Sequence, residues 1–282
     1  MKQLVPAFCL SLLLLPFGTQ PIAAAVSEWA SVHGGAVRLI AAGPPANGTY
    51  SVGVEFSLEP GWHTYWRFPG EAGIPPDLDF SASRNVKSTE VFYPVPERYF
   101  DGFSHSIVYH DAVVLPLNVT PADETRPADL TVSLFFGICK DICVPGEATL
   151  TLRLSPDADF DKLSSLLIER DLALVPGSPT PDAPKVTEIS AETSDDQHRL
   201  MITARLGSGV DTDLFAEGPE GSYIALPVLK EQSNGKAVWT LSTKGLARTD
   251  GGSRLTFVLR DGDRAVEQTF DIPAVLLPAD AN

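Results

Sequence analysis

The sequence predicts an all-β protein: two tandem antiparallel β-sandwiches joined by a short helix and a proline-rich linker. Three observations carry that expectation. Short apolar runs with strand-like alternation recur along the chain,. Gly, Pro, Asn and Asp turns separate them, with 22 glycines and 24 prolines in 282 residues, and no amphipathic helices alternate with them,. The alternation is interrupted once, by a helical pattern followed by a proline run. Hydrophobic residues make up 44% and charged residues 20%, enough apolar material for real cores, which excludes a disordered chain and a coiled coil,. The net charge is −15 and no Lys/Arg cluster occurs, which argues against nucleic acid or anionic lipid as a partner,. Three cysteines are too few for a disulfide-dense scaffold,.

Residues 1–25 read as a secretory signal peptide. Lys2 is their only charge, an apolar run extends from Leu4 to Phe17, and Ala23-Ala24-Ala25 supplies a small-residue cleavage site,. Cys9 leaves with this leader. No later stretch reaches the ~18–20 apolar residues of a membrane span. The mature protein is therefore expected to be exported and soluble, in an oxidising compartment, with Cys139 and Cys143 as its two cysteines,.

The first sandwich is expected over 26–158. After a lead-in at 26–34, strands are expected at Val37–Ala41, at Tyr50–Leu58 (with Tyr50, Val52, Val54, Phe56 and Leu58 on one face), and at Val86–Tyr93. Further strands follow at Ile107–Tyr109, Val113–Val119, Leu130–Ile138 and Ala148–Leu154,. Phe160, Leu163, Leu166, Leu167 and Leu172 recur at helical spacing, so a helix is expected within 159–172,. Four prolines between Pro176 and Pro184 form a semi-rigid spacer, which closes a linker over 159–184,. The second sandwich spans 185–282. Its expected strands are Leu200–Arg205, Leu214–Ala216, Tyr223–Leu226, Ala237–Leu241, Leu255–Leu259 and Ala265–Ile272, with an Asp261-Gly262 hairpin turn,. It has no cysteine and only His198, and nothing in it suggests a reactive centre.

The informative segment is Phe135-Phe-Gly-Ile-Cys139-Lys-Asp-Ile-Cys143-Val-Pro145. In one straight strand the two Cα atoms would lie about 13 Å apart. A disulfide needs roughly 4.4–6.8 Å, so the chain must turn between them. As a staple the pair adds little, because closing five residues is worth about 2 kcal/mol against about 4.7 for a 100-residue loop. Tight exposed disulfides are the labile ones, which favours redox activity over an inert staple or a metal site. Lys140 favours a thiolate and Asp141 opposes it, so neither thiol pKa follows from the sequence,. A Cu(I) site built on the two thiolates remains an alternative. His33, His63, His105 and His110 are not at ligand spacing from the cysteines and read as ordinary surface or turn histidines, so no metal ligand is assigned.

Two aromatic segments accompany the cysteines: Gly61-Trp-His-Thr-Tyr-Trp-Arg-Phe-Pro-Gly70 with Gly73-Ile-Pro-Pro76, and Tyr99-Phe-Asp-Gly-Phe103. With C-K-D-I-C-V-P they resemble the periplasmic N-terminal domain of the DsbD family of thiol:disulfide interchange proteins, in its suppressor-of-copper-sensitivity B-type branch. By motif the resemblance covers roughly residues 30–155. It implies two immunoglobulin-like sandwiches in the periplasm and a chain that acts as a component of protein-disulfide reduction, without a cofactor. Reducing equivalents would come from a separate DsbD- or CcdA-like membrane thiol reductase and pass to periplasmic thioredoxin-like proteins. The resemblance makes Cys139 and Cys143 the redox pair, with Cys143 attacking partners. It makes Phe100 and Tyr99 part of a capping loop and Tyr65 an aromatic flanking the cysteines. The pair is spaced more tightly than in the best-known members, and the residues around Phe100 differ. The alternative function is copper tolerance, with the pair binding Cu(I).

Overall fold

The computed structural model describes residues 25–194, 197–207, 209–249 and 251–278. The expected leader lies, but for its last residue, outside the described residues. Eleven strands come first: Ala30–Val32 (β1), Gly35–Ala41 (β2), Tyr50–Leu58 (β3), His63–Gly70 (β4), Asp77–Asp79 (β5), Val86–Val91 (β6), Glu97–Phe100 (β7), His105–His110 (β8), Ala112–Pro121 (β9), Ala128–Cys139 (β10) and Cys143–Leu154 (β11). One helix follows, Lys162–Leu172 (α1). Then come Lys185–Ser194 (β12), Gln197–Arg205 (β13), Thr212–Glu217 (β14), Val228–Ser233 (β15), Lys236–Ser242 (β16), Ser253–Asp261 (β17) and Arg264–Ile272 (β18).

The named strands pair antiparallel throughout. One sheet runs β1-β2-β3-β9-β6, and a second runs β11-β10-β4-β8-β7 with β5 added on β10. The later strands form β12-β13-β16-β15 and β14-β17-β18. Alternation drives the packing. Val52, Val54 and Phe56 of β3 meet Leu130, Val132, Phe136 and Ile138 of β10 in the core, with the Phe56 and Phe136 rings edge-to-face at 5.2 Å,.

The helix forms where expected, capped by Asp161, whose carboxylate accepts from the Ser164 N–H at 2.7 Å,. Of the five apolar residues that mark its period, Phe160, Leu163, Leu166 and Leu172 are exposed and Leu167 is half-buried, whereas Ser164, Ser165, Ile168 and Asp171 are buried. The reason lies in the surface it meets. Ile168 packs with Ile40 and Val114 where Gly53 leaves room, and the Asp171 carboxylate accepts the Val114 N–H at 2.5 Å.

The proline run is tied down at Gly177, which exchanges backbone hydrogen bonds with β18 (Gly177 N–H to Ala265 O, 3.0 Å; Glu267 N–H to Gly177 O, 2.9 Å). The guanidinium of Arg205 donates to the Pro181 and Ala183 carbonyls. The strand expected at Tyr223–Leu226 does not form. Ile224 and Leu226 bury their side chains from an irregular segment that ends at Pro227, and the neighbouring strand is β15, whose side chains are all exposed.

The two sheet pairs meet through strands β4 and β7. The Arg67 guanidinium donates to Glu217 (2.7 Å) and Glu267 (2.5 Å). Arg98 donates to the Asp213 carboxylate (2.8 Å) and to the Leu214 and Pro227 carbonyls (2.8 and 2.7 Å).

Candidate active site

Strands β10 and β11 are joined by Lys140-Asp141-Ile142, and Cys139 is the direct register partner of Cys143. The turn demanded by the spacing is thus the tip of a hairpin. The Cα atoms lie 4.2 Å apart and the sulfurs are bonded. The two sulfurs differ in access. Cys139 is 1% exposed, whereas Cys143 lies at the exposed start of β11.

The burial of Cys139 has a local cause. Along β10 the even positions face the core and the odd positions face outward, yet at Gly137 and Cys139 both faces are covered. Tyr65 of β4 provides the cover. Its ring lies against Gly137, where an added Cβ would stand 2.8 Å from the ring, and against Gly73, where it would stand 2.2 Å away. The Gly73-Ile74 segment is held over the strand by the Gly137 N–H donating to Ile74 O at 2.9 Å. Two glycines therefore form the slot that aims the Tyr65 hydroxyl, which lies 2.9 Å from Cys139 Sγ and 3.1 Å from Cys143 Sγ. Disulfide sulfurs carry no hydrogen, so the phenol O–H is the donor. Burial, then Asp101 and Tyr99, push the Tyr65 pKa up to about 12, so the phenol keeps its proton at neutral pH,.

Tyr65, Val108 and Cys139 form a small apolar cluster outside the main core, and Tyr99 of β7 packs against it. Phe100, the next residue, is half-exposed and stacks on His105, its register partner, with ring centroids 4.6 Å apart. The β7–β8 turn is shaped by Asp101, whose Oδ1 accepts from the Phe103 and Ser104 N–H groups at 2.7 Å each. Those bonds, Ser104 first, hold its carboxyl below the usual range, and its charge reaches both Tyr65 and His63. Phe103 at the tip is almost fully exposed.

His63 departs from the sequence reading. It is buried, 3% exposed, rather than a surface histidine, because it is the register partner of Cys139 on one side and of His110 on the other. Linear spacing gave no sign of this, since the neighbours are created by strand pairing. His110 Nδ1 lies 3.1 Å from the Glu97 carboxylate, and His33 stands edge-on to Trp62. The two-residue spacing of His63 and Tyr65 was the available signal, because in a strand it places both on one face,. Among the described residues no group of three or more His, Cys, Asp or Glu is arranged to hold a metal ion.

The chain thus combines an immunoglobulin-like β-sandwich with an adjacent-strand cysteine pair at a hairpin tip, the architecture of a thiol–disulfide interchange domain. Residues 36–155 match the family described as thiol:disulfide interchange protein DsbD, N-terminal, so this stretch is a DsbD-family N-terminal domain. The fold is that of the N-terminal periplasmic domain of ScsB from Proteus mirabilis. The two match with a TM-score of 0.69 and 22% identity, over 88% of this chain and 98% of that one. A marsupial T cell receptor also aligns over 92% of this chain, but its TM-score of 0.19 and 10% identity carry no argument. Among curated proteins none matches the chain.

Proposed function

We propose that this protein is a periplasmic dithiol–disulfide relay. It accepts reducing equivalents from a DsbD- or CcdA-like membrane-embedded thiol reductase and passes them to thioredoxin-like proteins. One observation carries the reading: two bonded sulfurs of unequal access share a single phenolic donor at the end of a hairpin. A buried staple has no need of such an exposed member, and an exchange reaction does. A partner thiolate attacks Cys143 Sγ, the Cys139–Cys143 bond breaks, and the electron pair goes to Cys139, stabilised by the Tyr65 O–H. The partner's second thiol then releases Cys143, which leaves the chain as a dithiol. In the outgoing direction the Cys143 thiolate attacks the acceptor disulfide, and Cys139 resolves the mixed disulfide.

The β7–β8 hairpin is the cap. Tyr99 packs on the cysteine cluster and Phe100 and Phe103 present apolar surface at its edge, so displacement of the hairpin by a partner controls access,. A periplasmic location accords with the DsbD-type domain, and among the described residues no helix is long and apolar enough to cross a membrane.

The test is partner trapping in cells. Cys139→Ala leaves Cys143 unable to be resolved, so mixed disulfides with thioredoxin-like proteins should accumulate and disappear on reduction. The Cys143→Ala variant should trap few or none. Equal trapping by both variants, or by neither, would overturn the assignment.

A further inference from the structure

A lateral row runs across four strands: Cys143 on β11, Cys139 on β10, His63 on β4 and His110 on β8, each the direct register partner of the next. Direct antiparallel partners hold their Cβ atoms about 4.5–5.5 Å apart on one face, which sets His63 beside Cys139. Nδ1 of His63 is buried and makes no hydrogen bond, an unusual state for a polar atom inside a protein,. In the disulfide state it has nothing to accept, because neither sulfur carries a proton.

Opening the disulfide changes that. Cys139 becomes a buried thiol whose proton cannot reach water directly, since the residue is 1% exposed. The Tyr65 phenol is no base at neutral pH, with its pKa at about 12. The other groups around the imidazole are Tyr99 (ring centroids 4.5 Å), Tyr65 and His110 (5.6 Å each), and the Asp101 carboxylate, which acts through its charge. His110 is already engaged with Glu97. Burial, then His110, lower the His63 pKa to about 4 against the opposing effect of Asp101, so the ring is neutral and its nitrogen is available to accept,. A thiolate forming at Cys139 works the other way, because an adjacent negative charge favours the imidazolium.

We propose that His63 is the proton acceptor for the buried cysteine: its Nδ1 takes the Cys139 S–H hydrogen bond in the dithiol form and receives that proton when Cys139 closes onto Cys143. In the closing step a Cys139–Cys143 bond forms and the Cys143–partner bond breaks. The electron pair leaves on the partner sulfur, and the Cys139 proton passes to His63 and then to that thiolate. The dithiol is oxidised and the partner disulfide is reduced. The inference rests on the exchange reading above.

The test uses the reduced full chain with dithiobis-nitrobenzoate, whose coloured thiolate reports each step. Cys143 releases the first equivalent on forming the mixed disulfide, and Cys139 releases the second on closing. In His63→Phe the second phase should slow roughly a hundredfold at neutral pH, the lower end for a positioned proton acceptor, while the first phase is unchanged. His63→Asn, which accepts a hydrogen bond but no proton, should be slowed as well and carries the test if the Phe variant fails to fold. In both variants the second phase should recover at alkaline pH, where the thiol ionises unaided; a merely structural role would alter both phases at every pH. A second phase unchanged in both variants overturns the proposal for His63. A wild-type chain that cannot be reduced, or that never releases the second equivalent, overturns the exchange reading itself.

Discussion

Lowering the pH from 7 to 5 should destabilise the oxidised protein through His63. The unfolded imidazole titrates near 6.5, whereas burial holds the folded one at about 4,. Between those values the unfolded chain binds a proton that the native state refuses, so stability rises with pH across the window and is lost as pH falls from about 6.5 toward 4. The penalty grows by about 1.4 kcal/mol per pH unit, which gives about 2 kcal/mol at pH 5. In a chain of this size that corresponds to a fall of about 4–8 °C in the thermal midpoint. The assay is denaturant unfolding at pH 7 and pH 5, followed by tryptophan fluorescence, with Trp62 and Trp66 beside His63 as reporters. His63→Phe serves as the reference that cannot titrate. The wild type should lose about 2 kcal/mol more than the variant over this interval. Equal losses would show that His63 protonates freely in the fold, and its burial beside Cys139 would be wrong.

Gly137→Ala should cost about 1–3 kcal/mol, since the new methyl meets the Tyr65 ring at 2.8 Å and must displace it,. The same variant should react faster with thiol reagents after reduction, checked by alkylation kinetics, because Tyr65 no longer covers Cys139. Phe100→Ala should speed oxidation of the dithiol by small oxidants severalfold and leave its potential unchanged. The stability loss should stay below about 1 kcal/mol, because the ring is 55% exposed and a core phenylalanine would cost ~3–5,. Arg98→Ala removes the charged hydrogen bonds to Asp213, Leu214 and Pro227 and should destabilise by about 2–3 kcal/mol,. Hydrogen exchange should quicken at the β7 amides next to Tyr99, and unaltered exchange there would separate the docking of the two sheet pairs from the cap.

Legibility in the sequence followed burial on one face. Strand β3 alternates between buried and more exposed side chains, and β9, β10 and β17 carry enough buried apolar residues to be read as short apolar runs. Strand β15 has no buried side chain, so past Val228-Leu229 no alternation marks its pairing to β16, and the apolar run Tyr223–Leu226 drew the strand assignment to itself. Strand β4 was hidden for the opposite reason. His63, Thr64, Tyr65 and Trp66 are all buried, because one face meets the core and the other holds the cysteines, so no alternation remains. The helix was readable by period but not by face, since its contact surface is Ile168 with two serines and a carboxylate that accepts a backbone N–H from β9. At the site, the cysteines and Tyr65 could be picked out by motif. The row from Cys143 to His110 depends on register across four strands, and register is set by long-range pairing that spacing along the chain does not encode.

The central claim is that Cys139–Cys143 is an exchanging disulfide with Cys143 as its accessible sulfur. Equilibrium titration of the purified protein in dithiol redox buffers, read by alkylation of the freed thiols, tests it most directly. Full reduction in the native fold is expected, with a potential above about −300 mV and alkylation at Cys143 well ahead of Cys139. A pair that resists reduction until the protein unfolds, or that titrates well below that potential, would make it a structural staple and contradict the account.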